Sequence, residues 1–555
     1  MLPFESDHHR RLITSRRTPR KDNDASLDRL HRRAGGRDHR WLRLGHLVAA
    51  GIEPDEDYHL ASIWCPPPVE SSGCKVQTAP DGKTAIVVNA RVFSAPVCYA
   101  FHPEISGACV FGVPTTPGLD ERFDRGEYPG GYYRVMHLFV VSDPYTTTYL
   151  IREVNVVLTA LLGLLLVLAA APPTRRLLAY AIASTYVPMG IFLVASINPS
   201  SWAVVGVTTT AFAFHSYWMA ETRPRVLANA GLAAVGVAMS ASARADAALF
   251  AALTALALLV LHLGAVRRHL VRLVLPAVAI VVAAVVYATS GQASTTLTGS
   301  GGQGETGSGW SAALFNAVNL PNLLLGNQGL WNLGWLDTTM PSIVYIPMIV
   351  VCAFMLMAGL SQLPLSKTVV AVGGILVLVG LPLYILYTSH LLVGQGLQSR
   401  YLLPLLPVLS LVILTGTRPD QTVRLPEPVA WLTWIMVSTA NAFALMVNIQ
   451  RYTTGLDGPM VPGRAIEWWS TGVVGPLATW ILGTLGFAVA AWMVVRLSTG
   501  RDVPVAATGE QKAIGPAVVA ADEPSLTPAG PVVDAEPTPV EAVGPDPVRP
   551  GTAPN

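Results

Sequence analysis

Residues 342–361 read SIVYIPMIVVCAFMLMAGLS, a stretch that contains no charged side chain. About 20 apolar residues are needed for a helix to cross the hydrocarbon core of a bilayer, so this stretch is long enough to span a membrane. Residues 368–388 have the same character. Because lipid offers no partner to backbone polar groups, such segments must be helical. The sequence therefore predicts an all-α polytopic membrane protein.

The composition extends this prediction to the whole chain. Of the 555 residues, 51% are hydrophobic and 13% are charged, whereas roughly 25% are charged in a typical soluble domain. The mean hydropathy is +0.45. The formal net charge is only +2, which excludes a protein that binds nucleic acid through bulk positive charge.

The same length criterion predicts eleven transmembrane segments. They lie at about 154–171, 177–196, 202–220, 226–242, 247–265, 273–290, 342–361, 368–388, 401–415, 428–447 and 473–495. The segment at 401–415 is short, and only four residues separate 226–242 from 247–265. Because the separation is so short, the sequence pattern of these two segments is easily misread as one long helix.

The loops between these segments differ in Lys and Arg content, which indicates orientation because cationic loops stay in the cytoplasm. One set of loops holds twelve cationic residues: Arg175, Arg176, Arg223, Arg225, Arg267, Arg268, Arg272, Lys367, Arg418, Arg424, Arg496 and Arg501. The alternate set holds four: Arg244, Arg400, Arg451 and Arg464. The prediction is a multi-pass plasma-membrane protein with residues 53–153 and the long loop 291–341 outside, and the C-terminal tail in the cytoplasm.

The two ends of the chain differ from the membrane domain, which is predicted at 41–497. Residues 1–40 are strongly basic, yet eleven spans that end inside must begin outside. The apolar stretch 41–52 is too short to supply the expected twelfth span. We interpret the start as misassigned or out of frame, the alternative being a disordered basic arm followed by a re-entrant helix. Residues 498–555 are rich in Pro and Ala and predict a disordered cytoplasmic tail.

Four of the five cysteines lie in the first outward region: Cys65, Cys74, Cys98 and Cys109. An even number of thiols in an oxidising compartment usually forms disulfides. The spacing favours Cys65–Cys74 and Cys98–Cys109, although four cysteines allow three pairings. A zinc site is the alternative, but no CxxC spacing occurs. Cys352 lies in a span and is interpreted as a small packing residue.

An acidic motif follows the short apolar stretch: residues 51–59 read GIEPDEDYH. Its carboxylates, among them Asp55 and Glu56, are candidate ligands for Mg²⁺ or Mn²⁺, and Asp55 is a candidate general base that Glu56 and His59 assist. The alternative is structural, because Pro-Asp-Glu is also a typical helix start.

Other outward clusters contain polar groups that are costly near a bilayer and are often functional. Their candidate binding residues are Asn198, Arg244, Asp246, Trp335, Asp337, Gln398, Arg400 and Tyr401. Arginine binds phosphate oxygens with two parallel hydrogen bonds. The alternatives are an Arg244–Asp246 ion pair, or arginines that extend to lipid head groups. Acids and arginines on one membrane face suit group transfer from a lipid-phosphate donor.

As a set, these motifs resemble an uncharacterised bacterial membrane family, the domain of unknown function numbered two-one-four-two. The resemblance covers roughly 41–497 and rests on Pro54-Asp55-Glu56 with His59, Gly131-Tyr132-Tyr133, Asn198-Pro199-Ser200, Gly334-Trp335-Leu336-Asp337, Gln398-Ser399-Arg400-Tyr401 with Pro404 and Pro407, and the stretch 448–455 with Arg451 and Tyr452. That family is similar to the glycosyltransferase C superfamily, which uses polyprenyl-phosphate sugars as donors. The resemblance implies that Asp55 and Glu56 occupy the position of its catalytic or metal-binding acids.

The function predicted from these observations is transfer of a sugar from a polyprenyl-phosphate donor to an envelope glycan or a lipid-linked acceptor. Arg400, with Arg244 as second choice, would neutralise the leaving phosphate. Asn198, Trp335 and Asp337 would shape the sugar pocket. The alternatives are a transporter or flippase that uses the same arginines without chemistry, and a scaffold for envelope assembly.

Overall fold

The computed structural model describes residues 54–291, 309–469 and 474–499. Within these ranges the chain is mostly helical. The basic N-terminal segment 1–40 and the C-terminal tail from residue 500 onward lie outside the described residues. The last helix extends to Thr499, so the first two residues of the predicted tail are helical.

Seven helices in the described part of the chain are long and apolar enough to cross a membrane. They are α4 (Pro144–Ala169), α8 (Arg223–Ala243), α11 (Val274–Thr289, preceded by the turn from Leu270), α13 (Ser342–Leu360), α14 (Leu365–Thr388), α16 (Glu427–Thr453) and α17 (Pro476–Thr499). Each overlaps one of the predicted segments, so a multi-pass membrane protein is confirmed.

The other four predicted segments do not form long apolar helices, so the count of eleven is not confirmed. Segment 177–196 divides into α5 (Pro172–Thr185) and α6 (Met189–Val194) around Pro188, which has no N–H to continue a helix. Helices α9 (Ala245–Leu261) and α15 (Leu405–Leu414) are short.

Helix α7 (Pro199–Met219) is long but lies at the centre of the bundle rather than against lipid. Nearly all its side chains are buried, including three consecutive threonines at 208–210. A Cβ on Gly206 would lie 2.9 Å from the carbonyl oxygen of Gly236 in α8, so only glycine permits this close approach. Small residues bring membrane helices together in this way, which gives α7 its packing without a strongly apolar sequence.

The region predicted to lie outside, 53–153, contains a small sheet, which corrects the all-α prediction. Strands β1 (Val76–Thr78), β2 (Thr84–Asn89) and β3 (Pro117–Asp120) pair antiparallel in the order β1-β2-β3. The same region contains helices α1 (Glu56–Trp64), α2 (Ala90–Phe93) and α3 (Gly131–His137), of which α2 packs against β2 and β3. The disulfides Cys65–Cys74 and Cys98–Cys109 confirm the predicted pairing.

The long connection predicted at 291–341 contains helix α12 (Trp310–Leu325). Buried Asn316 anchors α12: its Nδ2 donates to the carbonyl of Leu391 at 2.9 Å and its Oδ1 accepts from the N–H of Val393 at 2.8 Å. Helix α10 (Leu263–Arg268) lies between α9 and α11.

The turns that precede α1, α7, α9 and α15 lie at one end of the bundle, here called the Asp55 end.

Candidate functional site

Asp55 lies at the start of α1 in an unusual backbone conformation. It is the N-cap residue of α1 and has φ 64°, a left-handed value that is strained for a residue other than glycine. Its side chain forms no cap hydrogen bond with the helix. The carboxylate is instead directed into contacts with two arginines from distant parts of the chain.

Arg400 is the buried partner of Asp55. Its Nη2 donates to Asp55 Oδ2 at 2.9 Å, and its Nη1 lies 3.5 Å from the carbonyl oxygen of Pro54. The Arg400 side chain is 4% exposed, whereas that of Asp55 is 33% exposed. The Nε of Arg400 is buried without a hydrogen-bond partner among the described residues. One face of the Asp55 carboxylate is therefore fixed, while the group remains accessible.

Arg122 is the second partner of Asp55, and sequence reasoning missed it. It forms an ion pair with Asp55 Oδ1, and its Nη1 donates to both carboxylate oxygens of Asp57 at 2.6 and 2.7 Å. Its side chain is 49% exposed. The only sequence signal was the charge-rich run 120–125 beside β3. Arg122 thus covers Asp55 from the outside.

Arg244 adds a third guanidinium beside Tyr401. It donates to both oxygens of Asp246 at 2.9 and 2.8 Å, so the ion pair that the sequence analysis left as an alternative is present. Its guanidinium carbon lies 4.6 Å from the centre of the Tyr401 ring, and that of Arg400 lies 5.2 Å away. Tyr401 therefore contacts both arginines through cation–π interactions.

These charges set the ionisation of the acidic motif. Burial opposes ionisation of Asp55, but Arg400, His59 and Arg122 together hold its pKa below the usual value. Burial raises the pKa of Asp57 despite the opposing effect of Arg122. Asp55 is consequently a carboxylate at neutral pH.

Asn198 supports the loop that holds Asp55. Its Oδ1 accepts from the backbone N–H of Ser200 at 2.9 Å and so caps α7, while its Nδ2 donates to the carbonyl of Pro54 at 3.3 Å. Pro54 is the residue before Asp55, so the start of the central helix positions the acid. A sugar contact by Asn198 stays a prediction.

Glu56 and His59 have other close partners than Asp55, although all three belong to one motif. Glu56 is buried and pairs with Arg152 of α4 at 2.7 Å. His59 Nδ1 lies 2.8 Å from the hydroxyl of Tyr133, and burial lowers the pKa of His59 to about 3. Both contacts fix α1 against the bundle. The assisting catalytic roles of Glu56 and His59 stay predictions, and the geometry favours positioning roles.

Trp335 and Asp337 also lie apart from the carboxylate of Asp55. Asp337 forms a buried ion pair with Arg451 at 2.7 Å, and Trp335 packs edge-to-face on Phe101. The same loop reaches the Asp55 region through Gly334 and Leu336, which line a cavity of about 10 Å³ together with Pro54, Gln398 and Arg400. A cavity of this size has room for about one water molecule. The Oε1 of Gln398 is buried without a partner among the described residues.

The acids do not fit a divalent cation in this arrangement. Asp55 is paired with two guanidinium groups, and Glu56 is paired with Arg152. The described part of the chain holds no group of three or more His, Cys, Asp or Glu residues arranged to bind a metal. We therefore derive no chemical step from Mg²⁺ or Mn²⁺.

Comparison with known proteins gives one match. The family model described as predicted membrane protein (DUF2142) matches residues 46–409. This range includes Asp55, Arg122, Arg244 and Arg400, and it ends before Arg451. No curated protein and no solved structure matches the chain.

Proposed function

The chain belongs to the DUF2142 family of predicted membrane proteins, and from that premise we propose that it is an integral membrane glycosyltransferase. Its donor is a polyprenyl-phosphate sugar, and its acceptor is an envelope glycan or a lipid-linked glycan. The single observation that carries the proposal is the ion pair between Asp55 and buried Arg400, with Arg244 held beside it by Tyr401.

This cluster suits sugar transfer because it combines a base with groups that accept a leaving phosphate. In the proposed step, the acceptor hydroxyl oxygen attacks the anomeric carbon and the bond from that carbon to the phosphate oxygen breaks. The hydroxyl proton passes to Asp55, and the bonding electron pair leaves with the polyprenyl phosphate. Arg400 stabilises the charge that develops on that phosphate.

Arg122 must leave Asp55 before the carboxylate can accept a proton. Its exposure and its position outside Asp55 make this movement possible, since exposed ion pairs contribute only about 0–1 kcal/mol. An incoming phosphate offers the guanidinium a new anionic partner. Donor binding and release of Asp55 are thereby linked in the proposed mechanism.

The Asp55 end is proposed to face outward, with the C-terminal tail in the cytoplasm. The excess of Lys and Arg in the loops at the opposite end supports this orientation, because cationic loops are retained in the cytoplasm. The two disulfides near Asp55 support it too, since disulfides persist in oxidising compartments.

The test is transfer of radiolabelled sugar by the purified full-length protein from a panel of polyprenyl-phosphate sugars to envelope lipids. We expect transfer by the native protein, loss of turnover in Asp55→Asn with donor binding retained, and loss of donor binding in Arg400→Gln. Arg464→Gln is a matched control, because Arg464 is an outward arginine whose described contacts do not include Asp55. If the native protein binds the donor through Arg400 but transfers no sugar, the proposed enzymatic function is refuted and a transporter is favoured.

A further inference from the structure

A polar cavity of about 120 Å³ lies at the end of the bundle opposite the Asp55 end, between the ends of α4 and α7 and the start of α8. Its polar lining residues are Ser216, Glu221, Thr222, Arg225 and Asn229. A single water molecule needs about 10–15 Å³ measured in the same way, so this cavity has room for several water molecules or one small polar group.

Two buried polar atoms of the cavity wall have no hydrogen-bond partner among the described residues: Asn229 Oδ1 and Ser216 Oγ. Asn229 Nδ2 donates to the carbonyl oxygens of Arg225 at 2.8 Å and of Ala169 at 3.4 Å. Both partners are acceptors, so they fix the orientation of the amide and leave Oδ1 as the free acceptor. An unpaired buried acceptor costs free energy, which a ligand that donates a hydrogen bond would recover.

Charged groups lie at the mouth of the cavity, where Glu221 and Arg225 are both exposed. Helix α8 begins here, and its N-cap residue Thr222 forms no side-chain hydrogen bond with the helix. The start of a long helix favours an anion, and the Arg225 guanidinium reinforces this preference. Arg272 adds a further positive charge, since its Nη2 donates to the carbonyl of Ala220 at 2.9 Å. The mouth therefore suits a phosphate group.

The cavity lies at the level where lipid head groups are expected. Both α4 and α8 are long and apolar enough to cross a membrane, and the cavity adjoins the last residue of α4 and the first two turns of α8. Leu168, next to Ala169, is 63% exposed, and Leu227, between Arg225 and Asn229, is 61% exposed. Acyl chains can pack on these leucines while the phosphate stays at the helix ends, as in other basic pockets between membrane helices.

The inner wall distinguishes between kinds of head group. An ammonium group against Asn229 and Ser216 would be a buried charge without an acidic partner, because the carboxylate among the lining residues, that of Glu221, lies at the exposed mouth. A hydroxyl group needs only a hydrogen bond, which Asn229 Oδ1 can accept. An uncharged polyol therefore fits the inner wall better than an amine.

We propose that this cavity binds the head group of a phospholipid whose head is an uncharged polyol, of which phosphatidylglycerol is the simplest. Its phosphate lies at the start of α8 beside Arg225, and its glycerol hydroxyls bind Asn229 Oδ1 and Ser216 Oγ. The site goes beyond the proposed sugar transfer and does not depend on it, because none of its residues belongs to the Asp55 end.

The test is the affinity of the detergent-purified full-length protein for dioctanoyl lipids, measured by isothermal titration calorimetry. We expect Arg225→Gln to weaken binding of phosphatidylglycerol and of phosphatidic acid at least tenfold. Ser216→Ala should weaken phosphatidylglycerol three- to tenfold and phosphatidic acid less than twofold, because phosphatidic acid has no glycerol head. Neither variant removes a described side-chain hydrogen bond, and thermal unfolding checks that both fold.

Arg223→Gln is the matched control, because Arg223 is also an exposed arginine in the first turn of α8 but is not among the lining residues. It should change the affinity for phosphatidylglycerol less than twofold. Unchanged binding of phosphatidylglycerol in folded Arg225→Gln and Ser216→Ala would overturn the proposal.

Two further probes identify the ligand. Phosphatidylethanolamine that binds as tightly as phosphatidylglycerol, and is weakened equally by Ser216→Ala, would refute the preference for a polyol. Glycerol 1-phosphate that binds as tightly as the dioctanoyl lipid would show that the ligand is a soluble phosphate ester, which also overturns the proposal. Weaker binding of both probes is the result that we expect.

Discussion

Arg400 and Asp55 are 345 residues apart in sequence, and they form a 2.9 Å ion pair in which the arginine is buried and the acid is partly exposed. The pair joins the turn before α15 to the turn before α1. It places a buried positive charge and a partly exposed carboxylate at the same point of the bundle.

Asp55→Asn is expected to reduce kcat about 10²- to 10⁴-fold, the usual contribution of a general base. The amide keeps a similar shape and an acceptor for Arg400 but cannot take the acceptor's proton. Binding of polyprenyl phosphate should change less than threefold. Asp57→Asn is the control, since Asp57 shares only Arg122 with Asp55. Equal losses in both variants would contradict a specific role for Asp55.

Arg122→Gln is expected to shift the acid limb of the pH–rate profile to higher pH. Arg122 helps to lower the pKa of Asp55, so its removal raises that pKa and the carboxylate is lost at a higher pH. Folding stability should also fall, because Asp57, whose side chain is only 13% exposed, loses its guanidinium partner. The profile to measure is that of kcat/KM, which reports the free enzyme in which Arg122 still pairs with Asp55. It should be compared with the profile of Arg125→Gln, whose guanidinium contacts backbone carbonyls instead. An unshifted limb would argue against Asp55 as the base.

Arg451→Met is expected to lower the free energy of unfolding by about 3–5 kcal/mol, because it leaves Asp337 as an unpaired buried charge. Arg451 also donates to the carbonyls of Ile105 and Tyr99, so the loop between Cys98 and Cys109 should loosen. The double variant Arg451→Met/Asp337→Leu should recover part of the loss in a denaturation assay.

The double variant Arg451→Met/Asp337→Leu also tests the predicted contact between Asp337 and the sugar. If Asp337 only supports the fold, the double variant that folds should keep the native KM for the donor. A tenfold or larger rise in KM with a native melting temperature would restore Asp337 to the sugar pocket.

Replacing Cys98 and Cys109 by serine is expected to cost about 2–4 kcal/mol in unfolding free energy. The bond closes the loop that supplies the carbonyl partners of Arg451. Melting of the double-serine variant and of the native protein with and without reductant checks this. A reductant that lowers the melting temperature of the double-serine variant as much as that of the native protein would place the effect in Cys65–Cys74 instead.

The stability of the region that contains the three-stranded sheet is expected to fall as pH rises from about 4 to about 7. Burial raises the pKa of Asp124 to about 7, with Glu127 hydrogen-bonded to it, and burial raises that of Asp120 to about 6. A folded-state pKa above the unfolded value means that the folded state binds more protons, so the stabilisation is complete below the unfolded pKa and is lost through the folded pKa.

Asp124→Asn should flatten this dependence, because the amide cannot titrate. The measurement is the melting temperature of both proteins at a series of pH values between 4 and 8. Asp81→Asn is a control, since Asp81 is an exposed acid of the same region. If the melting temperatures of the native protein and of Asp124→Asn change with pH in parallel, the pH dependence arises from other groups, and Asp120 is the next candidate.

Much of the fold follows from the sequence because membrane helices carry a long apolar signal. Seven of the eleven predicted segments form helices of the required length and apolarity. The apolar pattern predicted one continuous helix across Pro188, where the structure has two. It did not predict α12, which lies within the long connection 291–341. It also gave no hint of the three-stranded sheet, whose strands are only 3 to 6 residues long.

The candidate site was less predictable. Asp55, Arg400, Arg244, Tyr401 and Asn198 stand out in the sequence as polar groups next to apolar segments, and the structure brings them together. Arg122 was missed because it lies in an ordinary charged surface run. Glu56 and Trp335 belong to the same motifs as site residues, yet their side chains turn toward Arg152 and Phe101.

The multi-pass membrane architecture, the two local disulfides and the polar turns that carry candidate chemistry are predictable from the amino-acid sequence, because each depends on neighbours in the chain. The partner of each acid is known only from the folded chain. Adjacent residues of a helix point in different directions, so Asp55 faces Arg400 while Glu56 faces Arg152. These pairings are contacts between distant segments, and they are fixed by how the helices pack.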